Sequence, residues 1–176
     1  MKFQPLSLPG AILVEIAPLS DERGFFARSF CEEEFAAAGL PTRFPQMNLS
    51  SNTRKGTVRG MHFQAPPHEE PKLVRCIRGA IHDVIIDLRR QSPAYCQSLG
   101  VELNEDNHAG LYVPPGFAHG FQTLADSSVV LYMMGNTYHS ESARGVRWND
   151  PAFSVTWPLP ISVISHRDAT YPDFKV

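Results

Sequence analysis

Four polar side chains could together remove a proton next to a carbonyl group and return it to the opposite face of the carbon. His62 is a candidate general base, because a free imidazole has a pKa of about 6.5 and titrates near neutral pH. Lys72 could stabilise the enolate oxygen, and Tyr132 could donate the returning proton. Asp168 could orient the imidazole and stabilise its charged form. Each residue alone is more often structural, so only the combination indicates catalysis.

The motif RGMHFQ presents a geometric difficulty for this set. Arg59 could assist Lys72 at the enolate oxygen, but it precedes His62 by three residues, and a regular strand would point the two side chains to opposite faces. Gly60 offers a solution, because a glycine inside a strand often marks a bulge or a bend. We therefore predict a bulge that turns Arg59 toward the cavity of His62.

Three histidines near predicted strands raise the alternative of a metal site, since neutral imidazole is a common transition-metal ligand. They are His62, His82 and His119. Small metal-binding β-barrels usually carry two histidines two residues apart on one strand, whereas Gln64 takes the second place here. His82 is more simply explained as a core histidine with a satisfied hydrogen bond. We predict no metal and no other cofactor, and the metal site stays an open alternative.

A third alternative is a module that binds a sugar or a nucleotide without any chemistry. Arg23 lies in the motif DERGFF beside two phenylalanines, as a contact to phosphate would. On spacing alone, an ion pair with Asp21 explains Arg23 better.

The elements that must position these residues are strands. Short apolar runs recur about every ten residues, bounded by turn-forming residues, which is typical of an all-β sandwich or barrel. The runs are AILVEIA, GTVRGMHF, KLVRCIRG, AIHDVIIDL, SLGVELN, GLYVPPG, GFQTLA, VVLYMM and GVRW. Only CEEEFAAAG is typical of a helix, with Gly39 as its C-terminal cap. In AIHDVIIDL, alternation places Asp83 and Asp87 on one face with two isoleucines, which indicates a partly polar barrel interior.

Length and composition limit the remaining possibilities. The 176 residues predict one domain over 1–176, and 43% hydrophobic with 19% charged residues predicts a globular chain. The net charge of −2 disfavours a nucleic-acid partner. The three cysteines show no CxxC spacing, which favours a reducing compartment. The N-terminus lacks a leader-like apolar core and the chain lacks a long apolar run, so we predict a cytoplasmic protein with no membrane partner.

Eight segments carry a specific resemblance. They are DERGFF, RGMHFQAPP, KLVRCIRGAIHDVIIDLR, SPAY, GVELN, LYVPPGFAHGFQTL, LYMM and RGVRWNDPAFSVTWP, in that order. Together, from about Asp21 to Asp168, they resemble the dTDP-4-dehydrorhamnose 3,5-epimerase family of metal-independent cupins. The resemblance implies a jelly-roll β-barrel with a few short helices and a homodimer that exchanges N-terminal strands. It also implies epimerisation at C3, C5 or both, next to the C4 ketone of a nucleotide-linked 4-keto-6-deoxy hexose.

The resemblance also implies roles for individual residues. His62 matches the family's base, Tyr132 its acid, and Asp168 the aspartate that pairs with the base. Lys72 matches the lysine near the substrate oxygen. The positions that hold the nucleotide diphosphate or the sugar correspond to Arg23, Gln46, Asn48, Arg59 and His119, and Tyr138 corresponds to the aromatic that stacks on the nucleotide base.

Three departures from the family pattern fall at positions concerned with the nucleotide. Arg28 stands where a glutamate is usual, Ala143 replaces an acidic residue before RG, and NTY replaces the usual DYY. We expect Arg28 to contribute to substrate binding, and the nucleotide diphosphate stays open. The alternatives are a single-position epimerase acting on a CDP-, GDP- or UDP-linked keto sugar and a non-catalytic sugar-nucleotide-binding cupin.

Overall fold

The computed structural model describes residues 1–175, which form fourteen β-strands and two short helices. The strands are β1 (Lys2–Pro5), β2 (Ile12–Glu15), β3 (Leu19–Asp21), β4 (Gly24–Phe26), β5 (Gln46–Asn52), β6 (Thr57–Gln64), β7 (Lys72–Arg78), β8 (Ala80–Asp87), β9 (Ser98–Asn104), β10 (Gly110–Val113), β11 (Phe117–Thr123), β12 (Ser128–Met134), β13 (Ala143–Gly145) and β14 (Val163–Ile164). The helices are α1 (Glu32–Ala37) and α2 (His166–Ala169). Within residues 1–175, no helix has the length and apolar character needed to cross a membrane.

The strands form two large sheets that pack face to face. The first sheet has the order β1-β2-β10-β7-β12-β5, with antiparallel neighbours throughout. The second has the order β13-β6-β11-β8-β9, and β14 pairs in parallel with the start of β6. A separate hairpin contains β3 and β4. The prediction of an all-β cupin-type jelly roll is confirmed.

The main core lies between the two sheets. Its buried side chains include Val74, Cys76, Leu111 and Val130 from the first sheet and Ile81, Ile85, Leu103 and Phe121 from the second. The alternation predicted for β8 is confirmed, because Ile81 and Ile85 enter this core while Asp83, also fully buried, lies between them. The interior of the barrel therefore mixes apolar packing with buried charge.

The C-terminal segment covers the outer face of the second sheet. Val84 and Ile86 point away from the barrel interior and pack in a second core cluster with Phe153 and Trp157. His82 shares this outward face, with its ring centroid 6.4 Å from that of Trp157. The tail then returns as β14 along β6, which carries the last helix to the edge of the cavity.

The elements differ from the sequence expectation in several places, because no predicted run covers β1, β3, β4, β5 or β14 and the second helix was not predicted. Each predicted apolar run overlaps an observed strand, and α1 forms where predicted, with Gly39 in a left-handed conformation directly after the helix cap. The pattern missed β5, because Asn48, Ser50 and Asn52 point into the polar cavity side and break the apolar alternation. It also missed α2, a single turn too short to show a helical period.

Candidate active site

A cavity of about 780 Å³ opens between the two sheets at one end of the barrel. Its walls are formed by side chains of β5, β6, β7, β11 and β12, with α2 at the rim. Eight of the residues singled out from the sequence line it: His62, Tyr132, Asp168, Lys72, Asn48, Arg59, His119 and Tyr138. The fold thus gathers residues from distant parts of the chain around one space large enough for a small ligand.

His62 and Asp168 form a hydrogen-bonded pair on one wall. Nε2 of His62 lies 2.7 Å from Oδ1 of Asp168, and the backbone N–H of Gly60 donates to Oδ2 at 3.2 Å. Burial opposes ionisation of Asp168, but the hydrogen bonds from His62, Gly60 and Ser165 outweigh it and hold the pKa of this carboxyl below its usual value. When Nε2–H donates to the carboxylate, Nδ1 of His62 is the nitrogen that can accept a proton.

The bulge predicted at Gly60 is confirmed. The register of β6 against β11 shifts beside this glycine, whose φ is +121°. A Cβ atom at Gly60 would lie 2.5 Å from the Cα of Gly120, so no side chain fits between the two strands. The irregularity brings Arg59 and His62 to the same cavity, although a regular strand would separate them.

Lys72 lies at the floor of the cavity with its ammonium group almost fully buried. Its Nζ donates to the carbonyl oxygen of His62 at 3.4 Å and lies 3.4 Å from Oε1 of Glu70. Burial lowers the pKa of Lys72, and the neighbouring Glu70 carboxylate partly offsets this. Burial likewise raises the pKa of Glu70, partly offset by Lys72. The two groups therefore depend on each other to remain charged.

Gln64 links the lysine end of the cavity to the loop that carries Tyr138. Its Nε2 donates to Oε2 of Glu70 at 2.9 Å and to the carbonyl oxygen of Thr137 at 3.1 Å. Its Oε1 accepts a hydrogen bond from the backbone N–H of His139 at 2.7 Å. Gln64 occupies the position at which a metal-binding strand would carry a second histidine. Here this buried side chain instead connects three segments by hydrogen bonds.

Tyr132 lies on the opposite wall, in the first sheet, whereas His62 lies in the second. Burial raises the pKa of Tyr132 far above its usual value, and the nearby Asp83 carboxylate raises it further. The phenol is consequently protonated at neutral pH. A protonated phenol facing an imidazole across a cavity can deliver a proton to the face opposite the base.

The three histidines of the metal alternative do not share a binding point. His119 directs Nε2 to Oδ1 of the fully buried Asp83 at 2.7 Å, and His62 is held by Asp168. His82 points to the other face of the second sheet. Each imidazole is engaged by different neighbours, so the strand pattern does not assemble a three-histidine site.

Three arginines at the cavity have no acidic partner among residues 1–175. Arg59 donates Nε to Oδ1 of Asn52 at 2.6 Å, Arg144 donates to backbone carbonyls, and Arg167 donates Nε to the hydroxyl of Tyr171 at 2.8 Å. None forms an ion pair with a carboxylate of the described chain. Their remaining N–H groups are available to an anionic ligand.

Three other predicted residues lie away from this cavity. Arg23 forms an ion pair with Asp21 in the exposed β3–β4 hairpin, with 2.5 Å between Nη2 and Oδ2. Arg28 forms an ion pair with Glu34, at 2.8 Å. Gln46 lies beside the rim, where its Oε1 accepts the backbone N–H of Tyr138 at 3.1 Å. Their roles in substrate binding stay predictions.

The comparison with protein families decides where this chain belongs. A family model described as dTDP-4-dehydrorhamnose 3,5-epimerase matches residues 5–176. The chain belongs to this family. The resemblance recognised from the sequence motifs is therefore confirmed over nearly the whole length.

Three members of the epimerase family illustrate the similarity. A protein from Sinorhizobium fredii named dTDP-4-dehydrorhamnose 3,5-epimerase is 41% identical over 173 residues, which cover 98% of this chain and 89% of that protein. A protein from Streptomyces niveus named dTDP-4-dehydrorhamnose 3-epimerase is 36% identical, covering 96% and 81%. The crystal structure of the 3,5-epimerase from Bacillus anthracis with TDP and PPi bound has a TM-score of 0.95 at 38% identity, covering 98% and 99%.

Sequence reasoning missed several residues that line or support this cavity. Glu70 became visible only as the partner of Lys72, and Arg167 only as part of the rim. Gln64 was noted in the sequence, but its hydrogen bonds to Glu70 and to the Tyr138 loop were not predicted. One signal existed for Asp83, which the strand alternation had placed in the barrel interior without a partner. The missing information is tertiary, because it concerns which side chains meet across the cavity.

Proposed function

We propose that this protein is an isomerase that inverts C3, C5 or both in a nucleotide-linked 4-keto-6-deoxy hexose and that its proton transfers use no metal or other cofactor. The observation that carries the proposal is the placement of the His62–Asp168 pair on one wall of the cavity and of Tyr132 on the other. Inversion needs a base on one face of the carbon and an acid on the other. Two residues in facing sheets satisfy that requirement.

The reaction begins with loss of a proton. Nδ1 of His62 takes the proton from the carbon next to the C4 ketone, and the electron pair moves onto the ketone oxygen to form an enolate. The ionised Asp168 stabilises the imidazolium that results. The ammonium group of Lys72 stabilises the enolate oxygen, in a buried setting where such an interaction is stronger than in water.

The second half of the reaction returns a proton from the other wall. The enolate collapses to the ketone as Tyr132 gives its phenolic proton to the opposite face of the same carbon. The enzyme then resets when His62 loses its proton to solvent and the phenolate of Tyr132 regains one. His62 can exchange with solvent directly, because its side chain is 43% exposed.

The nucleotide diphosphate is held at the cavity rim. Arg59, Arg144 and Arg167 offer three positive charges that no carboxylate of residues 1–175 neutralises, which matches the negative charge of a diphosphate. Tyr138 lines the same rim with 60% of its surface exposed, as a platform for a nucleotide base would require. Among the other lining residues, His119 supplies a buried polar contact and Asn48 an exposed one.

The deciding experiment follows hydrogen exchange in the substrate. The protein is incubated with dTDP-4-keto-6-deoxyglucose in heavy water, and deuterium at C3 and C5 is read by NMR. We expect exchange at one or both carbons, and a fall of at least about 100-fold in the exchange rate for His62→Ala. An unchanged exchange rate in the His62→Ala protein would refute the assignment of the base, and absence of exchange in the unaltered protein would favour the non-catalytic binder.

A single-position epimerase is the second candidate function. It is favoured by the similarity to the Streptomyces niveus 3-epimerase and by Ala143, which leaves the rim without the acidic side chain usual in the family. The same NMR spectrum separates the two functions, because exchange confined to one carbon indicates a single-position enzyme. Titration with dTDP, CDP, GDP and UDP identifies the nucleotide by the tightest binding.

We also propose a homodimer that joins the outer faces of two first sheets. Register places Met47 and Leu49 of β5 on the face opposite Tyr132, together with Ile77 of β7. All three are exposed, as are Leu19, Phe25 and Phe26 of the adjacent hairpin. Such an apolar surface favours coverage by a partner. Arg23 does not line the cavity of the chain to which it belongs. Its predicted contact with substrate therefore requires the β3–β4 hairpin of one copy to reach the cavity of the other copy.

Two broader expectations stay predictions. We propose that residues 1–176 form one domain, since the core between the sheets draws on side chains from Leu8 to Val130. We further propose a cytoplasmic location, in keeping with three cysteines that carry free thiols.

A further inference from the structure

A cluster of two histidines and a glutamate lies outside the catalytic cavity. His68 follows β6 in the turn that leads to Glu70, while His139 and Glu141 belong to the loop between β12 and β13. The two imidazole rings stack with centroids 3.6 Å apart and an interplanar angle of 9°. None of the three residues lines the cavity, and none has a role in the proposed reaction.

The donor atoms of this cluster converge on a common point. Nδ1 of His139 lies 3.2 Å from Oε1 of Glu141, and Nδ1 of His68 lies 4.0 Å from the same oxygen. All three donor atoms lie within 4.8 Å of one another. Donors bound to one tetrahedral Zn²⁺ are about 3.4 Å apart, since each metal–ligand bond is about 2.1 Å long. The observed spacing is therefore close to that of a coordination shell.

The backbones that carry the donors are already fixed by the protein interior. Gln64 holds the loop at the backbone N–H of His139, and the backbone N–H of Ala65 donates to the carbonyl oxygen of Ser142 at 2.8 Å. The side chains remain partly exposed, at 29% for His68, 32% for His139 and 65% for Glu141. The stacked rings can thus tilt toward a shared ion without movement of the main chain, and little ordering of the backbone opposes binding.

We propose that His68, His139 and Glu141 bind a divalent transition-metal ion of the Zn²⁺ type at the mouth of the barrel. Two imidazoles and one carboxylate suit this class of metal, with water completing the coordination. The hydroxyl of Ser142, 2.9 Å from Nδ1 of His68, gives way to the ion when it binds. The ion ties the turn before Glu70 to the loop that carries Tyr138. Its role is to fasten this loop, separate from the proton transfers in the cavity.

The test is a metal titration of the full chain prepared without a histidine tag. Protein freed of metal with a chelator is titrated with Zn²⁺ in competition with a chromogenic indicator. We expect one tight equivalent per chain. His139→Ala and Glu141→Gln should each weaken binding by at least about 100-fold, since loss of a direct ligand exceeds the 10- to 100-fold cost of losing a supporting residue. His166→Ala, which changes an exposed histidine in α2, is the matched control and should leave the affinity unchanged.

The alternative outcomes overturn the proposal. Equal Zn²⁺ affinity in the unaltered protein and both variants would place the ion elsewhere. Weakening by His139→Ala alone, with Glu141→Gln unaffected, would exclude the three-ligand site. Titration with Co²⁺ gives an independent check, because its visible absorption bands should appear in the unaltered protein and disappear in both variants.

Discussion

The phenol of Tyr132 shows how the surroundings of a side chain keep it protonated. Burial and the carboxylate of Asp83 both raise its pKa, so it keeps its proton until a strong base forms nearby. An enolate in the cavity is such a base. The imidazole of His62 differs because one edge is open to solvent while Asp168 holds the other. The proposed acid and the proposed base therefore differ in environment as well as in position.

Tyr132→Phe should separate the two proton transfers. We expect the variant to continue exchanging substrate hydrogen for deuterium through His62, while formation of the inverted product falls at least about 100-fold. NMR in heavy water measures both rates in one sample. Tyr112→Phe is the control, because that phenol belongs to the cluster on the outer face of the first sheet. Loss of exchange together with inversion would show that Tyr132 does more than return a proton.

Glu70→Gln should change the pH profile in a defined direction. The Glu70 carboxylate raises the pKa of Lys72 against the effect of burial, so its removal lowers that pKa further. Lys72 must be charged to stabilise an enolate, and its charge is lost as pH rises. The alkaline limb of kcat/KM should therefore move to lower pH in Glu70→Gln. Glu69→Gln, at the exposed neighbouring position, should leave the limb in place, and an unmoved limb in both variants would contradict the coupling.

At the scale of elements, one irregularity in β6 decides whether the site exists. Arg59 and His62 are three positions apart, and the bulge at Gly60 brings both side chains to the cavity. The same glycine donates its N–H to Asp168, so the distortion also fixes the partner of the base. A strand that breaks its regular pattern at a catalytic residue is typical of functional sites.

Gly60→Ala should be much more damaging than an alanine at a similar backbone conformation. The Cβ atom would lie 2.5 Å from Gly120 Cα, in addition to the strain of a positive φ, which costs roughly 1–3 kcal/mol. Gly24→Ala is the control, since Gly24 has a φ of +122° but no heavy atom within 4 Å of the added carbon. Denaturant unfolding should show a greater loss of stability for Gly60→Ala. Equal losses of stability in the two variants would contradict this prediction, because they would mean that β11 moves away from the added carbon with no loss of stability.

The element predictions succeeded for strands that carry apolar side chains into a core, and the prediction missed β5, where the cavity intervenes. The runs that became β7 and β8 carry apolar side chains into the core and were recognised by their pattern. β5 was missed because its inward residues Asn48 and Ser50 face the cavity and not the core. A strand whose inward side chains are polar lacks the apolar alternation by which strands are recognised. Its sequence therefore cannot be distinguished from that of a loop by hydrophobic periodicity.

At the scale of the whole molecule, the outer face of the first sheet predicts the assembly. Met47→Asp would place a charge among the exposed apolar side chains of the proposed interface. We expect a monomer in sedimentation equilibrium at concentrations at which the unaltered protein is a dimer. Val163→Asp changes an exposed aliphatic residue of the second sheet and should leave the dimer intact. A dimeric Met47→Asp protein, or a monomeric unaltered one, would contradict the proposed interface.

The sequence by itself determined the apolar core strands and the residue types needed for proton transfer, and the resemblance carried by its motifs indicated the jelly-roll class, because apolar periodicity and motif order are local properties of the chain. The pairing of His62 with Asp168, 106 residues away, was predicted from the sequence, and only the tertiary structure gave its geometry, with the N–H of Gly60 as a second donor to the carboxylate. It also decided that Lys72 depends on Glu70 and that Arg167 joins the rim. These relations arise when two sheets close around a cavity. The distance between two side chains across a barrel depends on how distant segments pack, so no single segment of the sequence determines it.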